Sequence, residues 1–468
     1  MKPAKLAFLI LALGIFILTL SPILGASLSA KFAEINGPHK TNKNTATWLG
    51  NSKQSGGGSF SLENMRQLAQ YNLRDYDLAY ALETKTSVVY KQNQSQAKVL
   101  GVNDRYNQFH QINQKAGSFL TSNHENQLVA VIDEEMAQNL FQNCNVVGLD
   151  IELYGWKFKI IGVIEDERSL IGTLMDKGYG TVYIPIKKLV EFESSFKITS
   201  LEVETRDIGT TGRNVADFKT ALSSIGQDPA NYKIIDYNME RLLLEQKNLL
   251  RNFVVGMGAV VVLFGIFRRK TRSIYRFFRL RLQEKYFSEI IRGDAARLIF
   301  GIAEILVIVS VMFLLWRLIK FPLYISPENI PNELIDISFF SNLLKNVIQA
   351  KVQSAGYVAT SGETQLNILN TIQNWNLFLS IFLGLPLFYL GLYQVKMLGE
   401  KLLKVEVFCC AIMMVSLVIS IALLLMTKMP PVIDTKGVLL LFISIFSTVI
   451  SFTVRSELDG QSNFEKSI

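Results

Sequence analysis

Six apolar runs, separated by loops that alternate between polar and basic, constrain this chain more than any other feature. They lie at residues 6–25, 252–267, 298–318, 376–394, 405–427 and 437–454. A bilayer core takes roughly 20 residues of helix, so each run is at or near spanning length. Backbone amides inside hydrocarbon must be satisfied within their own segment, and helix is the conformation that does this for a single run. The expected fold class is therefore an α-helical membrane protein of about six transmembrane helices. An exported α+β domain fills the long polar stretch between helices 1 and 2.

The loops set the orientation. Lys2 and Lys5 precede the first run, and Lys396, Lys401 and Lys404 follow the fourth. Between Arg268 and Arg297 stand ten Arg or Lys against Glu284, Glu289 and Asp294, the densest cationic cluster in the chain. Cationic loops stay in the cytoplasm, which puts both termini inside and the polar stretches outside. The expected division is 1–26 transmembrane helix 1, 27–249 the extracytoplasmic core domain, 250–268 helix 2 and 269–296 a basic cytoplasmic amphipathic loop. Next come 297–319 helix 3, 320–374 a second extracytoplasmic segment, 375–395 helix 4, 404–427 helix 5, 437–454 helix 6 and 455–468 a cytoplasmic tail. The small residues of ASLSA at 26–30 would also suit a cleaved signal, but the run before them exceeds an ordinary signal core, which favours a retained anchor. The location that follows is a multi-pass protein of the cell membrane.

A formal charge of +8 would suit a nucleic-acid binder. The basic residues sit beside apolar runs, however, where they fix topology and meet lipid headgroups, so the lipid bilayer is the expected partner and nucleic acid is not. Cys144 stands alone in the polar part, and Cys409 and Cys410 are adjacent in an apolar run, a set that supplies neither a disulfide framework nor a zinc site. The sequence contains no GxxxxGK[ST], HExxH, GxSxG or CxxC pattern, and His39, His110 and His124 show no ligand spacing. No catalytic residue, cofactor-binding residue or metal ligand is expected.

Within the exported stretch, Gln127–Asp166 has the strongest local signals. Val129 to Ile132 is a β-branched run. Asp133 then precedes Glu134 and Glu135, and Met136, Leu140 and Phe141 recur at helical spacing, the pattern of a capped amphipathic helix. Leu149, Ile151 and Leu153 alternate with polar residues, and after Gly155 the set Trp156, Phe158 and Ile160 resumes the alternation, as in a two-stranded ribbon. Further strands are expected at 87–91, 97–102, 181–184 and 200–204, and helices at 62–73, 186–193 and 212–224. A last helix, 238–250, leads directly into membrane helix 2.

In this order VAVIDEEMAQNLF, VGLDIELYG and FKIIGVIED resemble the periplasmic core domain of MacB-like ABC transporter permeases, a group that includes FtsX-like permeases. The resemblance covers roughly residues 1–270. It implies a permease subunit, homodimeric or paired with another permease, that works with a cytoplasmic P-loop ATPase and passes its cycle to the exported domain. ATP hydrolysis would then belong to the partner, and this chain would not itself be an enzyme. The second half departs from the family: six spans replace the usual four, and the basic loop does not reproduce the usual sequence. Either helices two to four or helices four to six form the permease core.

A partner ATPase must grip an exposed cytoplasmic element. Candidate coupling residues are Arg269, Arg272, Arg276, Glu284 and Glu289. Glu304 is a candidate intramembrane polar residue, because a carboxylate about 10 Å inside a span needs a partner or a proton. Arg297 or a neighbouring loop residue is its expected structural partner. The other class of reading is a membrane scaffold or sensor that does not transport and whose exported domain binds a ligand or a partner protein.

Overall fold

The computed structural model describes residues 3–50, 60–175, 178–192, 196–205, 211–283, 286, 295–325, 337–353, 357, 359–399 and 402–465. Residues 29–244 with 324–370 form one unit, and residues 1–28, 245–323 and 371–468 form the other.

The first unit is built on one ten-stranded sheet. Its strands are β1 (Lys43–Trp48), β2 (Leu78–Tyr90), β3 (Asn93–Val102), β4 (Gln114–Gly117), β5 (Val129–Asp133), β6 (Asp150–Leu153), β7 (Trp156–Ile164), β8 (Gly180–Pro185), β9 (Ser200–Glu204) and β10 (Tyr232–Asp236). They run in the order β10-β1-β9-β2-β3-β8-β5-β7-β4, with β6 paired to β7 and β2. The α+β reading holds. The Gln127–Asp166 stretch folds as the sequence indicates: β5, a helix, then the antiparallel pair β6 and β7. Tyr154 (φ 53°) and Gly155 (φ 78°) supply the two left-handed positions of its tight turn, which matches the strand twist. Strands β1, β4 and β10 were not anticipated, and the strand expected at 87–91 is the outer end of the much longer β2.

Strand alternation gives the β1–β9–β2 part of the sheet two unlike faces. Ala46, Leu201, Val203, Leu78 and Leu82 point into the main apolar core, which also takes in Phe218 and Leu222. Lys43, Thr45, Thr47, Glu202 and Glu83 occupy the alternate positions and share the other face. That face is charged, yet Lys43 is only 1% exposed.

Among the described residues up to Arg281, the α-helices are α1 (Pro3–Ile35), α2 (Leu62–Gln67), α3 (Tyr106–Phe109), α4 (Glu134–Phe141), α5 (Leu170–Leu174), α6 (Ile186–Phe192), α7 (Thr211–Ser224) and α8 (Tyr237–Arg281). Asp133 Oδ1 accepts the Met136 amide at 2.8 Å and caps α4, while its Oδ2 accepts the Thr181 amide at 2.6 Å and ties the cap to β8. Helix α1 runs beyond the expected membrane segment because Leu28, Phe32 and Ile35 continue an apolar stripe at helical spacing. Phe32 stacks on Tyr237 at 5.7 Å.

The remaining helices are α9 (Ala295–Ile319), α10 (Ile337–Gln353), α11 (Ser361–Leu379), α12 (Leu385–Met397), α13 (Leu402–Met426) and α14 (Thr435–Glu465). A single π-helical turn, Ser380–Gly384, joins α11 to α12 just before Pro386, so the run expected at 376–394 belongs to one interrupted rod that begins at Ser361. The missing amide of Pro386 is absorbed by that turn rather than by a break. Among the described residues, five helices are long and apolar enough to cross a membrane: Pro3–Ile35, Tyr237–Arg281, Leu298–Ile319, Ser361–Met397 and Leu403–Met426. The sixth expected run falls in a shorter apolar stretch, Thr435–Ser451.

In this helical unit the apolar contact set includes Leu11, Ile15, Val255, Ala259, Leu315, Phe388, Leu392, Val405, Leu441 and Ile445. Glycine permits its closest approach. A Cβ on Gly14 would lie 2.5 Å from the Phe388 backbone nitrogen, and one on Gly391 would lie 2.6 Å from the Leu11 backbone. Helices α1 and α12 therefore meet backbone to backbone, as small residues allow inside a membrane.

Candidate functional site

The cationic residues singled out in the sequence lie on the last third of α8. Arg269, Arg272 and Arg276 are exposed, and their spacing of three and four puts them on one helix face. Glu284 and Glu289 lie outside the described residues. Lys270, on the same helix, donates to Glu304 Oε2 at 2.6 Å. Glu304 thus has a lysine of α8 as a partner. Ile274 packs where Gly301 leaves room, one turn further along the same pair of helices. Together these contacts hold α9 against α8 and leave the three arginines free to meet something else.

A second polar centre in the helical unit escaped the sequence reading. Arg251 is 2% exposed. Its Nη1 donates to the Ser21 carbonyl at 2.8 Å, its Nη2 to Asn252 Oδ1 at 2.9 Å, and Asp434 lies 3.7 Å away. Asn376 donates to the same Ser21 carbonyl at 3.1 Å, and Gln373 donates to Asn248 Oδ1 at 2.7 Å. Asp434 also caps α14 by accepting the Gly437 amide at 2.9 Å. The guanidinium, whose fixed fork suits several acceptors at once, joins α8 to α1 and to the cap of α14, and Asn376 and Gln373 bring α11 to the same cluster through Ser21 and Asn248.

The sheet unit carries its own buried charges. Lys43 donates to Glu202 Oε2 at 2.7 Å and to the Phe109 carbonyl at 2.9 Å, and its ammonium lies 4.6 Å from the Tyr237 ring centre. His110 Nε2 contacts the other oxygen of Glu202 at 2.6 Å. Burial alone would raise the Glu202 carboxyl, but His110 and Lys43 outweigh it and hold the group at about 2. Glu83 pairs with Lys98 at 2.7 Å on the same face. Glu134, at the start of α4, is likewise penalised by burial, yet Lys115, the Asp166 amide and Arg168 bring it down to about 2.

A cavity of about 30 Å³ lies over this face, between Thr45, Glu83, Glu202, Tyr106, His110 and Ser361. The Thr45 hydroxyl, on a residue 5% exposed, makes no hydrogen bond to another described protein group there. Tyr357 and residues 359–370 close the face. Glu363, 1% exposed, accepts from Thr47 Oγ1 at 2.7 Å and from Lys233 Nζ at 3.0 Å, and it also meets the Tyr357 hydroxyl. A larger, open pocket of about 350 Å³ lies on the opposite face, bordered by Asn44, Leu73, Tyr76, Val203 and Phe218.

One group among the described residues has the donor set and spacing to hold a metal ion: His39, Asp77 and Glu204, each offering an atom within 4.8 Å of the others. The imidazole spends both nitrogens on carboxylates, Nε2 toward Asp77 at 3.2 Å and Nδ1 toward Glu204 at 3.7 Å. That is the geometry of a ring bridging two acids, and ligation would require one of those contacts to open.

Residues 6–222 match the family described as the MacB-like periplasmic core domain. An uncharacterized ABC transporter permease of Bacillus subtilis (strain 168), YvrN, is 26% identical over 189 residues, which span 39% of this chain and 46% of the relative. The chain thus matches less than half the length of that relative. The periplasmic region of MacB from Actinobacillus actinomycetemcomitans is 18% identical and covers 45% of this chain and 94% of its own, with a TM-score of 0.36. The extracellular domain of the noncanonic ABC-type transporter YknZ from Gram-positive bacteria is 16% identical and covers 42% and 100%, with a TM-score of 0.34.

Proposed function

Starting from a chain that resembles ABC transporter permeases and carries a MacB-like periplasmic core domain over residues 6–222, we propose that it is a permease-like membrane subunit of an ABC system. It relays motion driven by a cytoplasmic P-loop ATPase to its exported sheet domain, for export, extraction or signalling. Bond chemistry stays with the ATPase. The chain works as a dimer, with itself or with another permease, in the cell membrane and with the large domain outside.

The observation that carries this reading is helix α8. It begins at Tyr237, immediately after β10, and continues without a break for 45 residues to Arg281. Its far end presents Arg269, Arg272 and Arg276 in a segment whose density of positive charge supports a cytoplasmic position. A continuous helix transmits displacement along its length, because each turn is fixed to the next by backbone hydrogen bonds.

The test is a photocrosslinking residue at Arg272 or Arg276 in the full chain, expressed in its own cells. Adducts with a P-loop ATPase, lost when Arg269, Arg272 and Arg276 are changed together to glutamate, are expected. Adducts with lipid alone, and no ATPase recovered with the purified chain, would reject the relay and favour a scaffold or sensor.

A further inference from the structure

The charged face of the sheet is covered by a segment that lies outside the family match, which ends at residue 222. Tyr357 and residues 359–370 reach that face through polar groups. Glu363 is held by Thr47 and Lys233, Ser361 Oγ accepts from Lys98 Nζ at 3.0 Å, and Asn370 donates to Glu240 at 3.2 Å. Tyr357 lies under the Lys233 ammonium at 5.1 Å. Beneath residues 360–362 lies the small cavity lined by Thr45.

We infer that residues 359–370 form a releasable latch over this face of the exported domain. In the closed state, Glu363 is withdrawn from water and compensated by Thr47 and Lys233. In the open state, water takes back all three. Buried ion pairs lose much of their Coulomb attraction to desolvation, so such a contact specifies one seat without a large net hold. An apolar seat of the same size would favour closure far more strongly. Because the segment continues as α11, movement of that helix has a direct route to β1 and β10, whichever partner drives it. The latch stands apart from the ATPase reading and does not require it.

The test is the rate at which a cysteine in the cavity becomes reachable. In the full chain in lipid nanodiscs, with Cys144, Cys409 and Cys410 changed to serine, Thr45→Cys is treated with a charged maleimide. Slow modification under native conditions is expected. Glu363→Ala should make it about tenfold faster, the effect of losing charge-assisted hydrogen bonds from the closed state. Equal rates with and without Glu363 would overturn the latch. So would modification that occurs only in denaturant, which would make the segment a fixed wall. Should Thr45→Cys fail to fold, hydrogen exchange in an otherwise natural chain serves instead. Glu363→Gln should accelerate exchange in the first turns of α11 while α7 is unchanged, and unchanged exchange in both would overturn the inference.

Discussion

The Lys270 ammonium donates a 2.6 Å hydrogen bond to Glu304 and ties α8 to α9 across 34 residues of sequence. The wall of α9 around it, including Phe300, Leu306 and Val307, is exposed and apolar, as a lipid-facing surface would be. Lys270→Ala would leave an unpaired carboxylate on that wall. The expected loss is about 1–3 kcal/mol, near the low end for an intramembrane charge because Glu304 stands toward one end of the helix. The exchange Lys270→Glu with Glu304→Lys should recover most of it. Thermal unfolding of the full chain in detergent measures both, and a single variant as stable as the parent would show that the pair holds nothing.

The contact between Gly14 and Phe388, and its mirror between Gly391 and Leu11, leave no room for a side chain. Backbone atoms stand 2.5 Å and 2.6 Å from where the Cβ atoms would be. Gly391→Val must push α12 away from α1 and is expected to cost about 1–3 kcal/mol, the usual range for overpacking. Gly265→Ala is the control, since nothing lies near its Cβ position. Helix propensity favours alanine there, so that variant should be neutral or slightly stabilising. Equal behaviour of the two variants in thermal unfolding would contradict the close crossing.

What the sequence makes legible here is whatever is local and periodic. The β5–α4–β6–β7 unit shows itself because Asp133 caps a helix, Ile151 and Leu153 alternate, and Gly155 turns the chain, all within forty residues. Strand β1, KNTATW, gives no such signal. Its two faces differ in the fold, one joining the core through Ala46 and the other bearing Lys43, Thr45 and Thr47, but nearly every side chain is polar. Burial of that polar face depends on partners far away: Glu202 lies 159 residues from Lys43, and Glu363 lies 316 residues from Thr47. Charge density along Arg268–Arg297 is visible in one dimension. The pairing of Lys270 with Glu304 is not, because it depends on how two helices are rotated.

Acid should weaken the exported domain in a definite window. Glu202 and Glu134 both have folded-state values of about 2, below the usual glutamate range near 4.3. A depressed carboxyl contributes stability that is fully present above its unfolded value and is lost as pH falls through its folded value. Stability should therefore be flat in these two groups from pH 7 to about 5, then fall between about 4.5 and 2. Glu202→Gln should flatten part of that fall. It also leaves the Lys43 ammonium buried without its counterion, at a cost of roughly 3–5 kcal/mol near neutrality. Urea titrations of the full chain at a series of pH values, followed by amide exchange in β1 and β9, give both quantities. A steep loss of stability already at pH 6 would assign the acid sensitivity to other groups.

The relay makes the sharpest demand on α8, since one helix must carry displacement from its cytoplasmic turns to β10. Lys247→Pro removes a backbone donor inside the helix and clashes with the preceding turn, at a local cost of about 3 kcal/mol. The β5–α4–β6–β7 unit is far from this position in sequence, and its caps and pairings involve no residue of α8. The variant should therefore keep native exchange protection in β5 and β7 and still yield ATPase crosslinks at Arg272, while activity of the assembled system falls sharply. The separation matters: loss of crosslinks would indicate a misplaced cytoplasmic end, and loss of protection in β7 would indicate a misfolded domain. Full activity with a broken α8 would mean that displacement reaches the exported domain by another route, with the rod α11–α12 the next element to break.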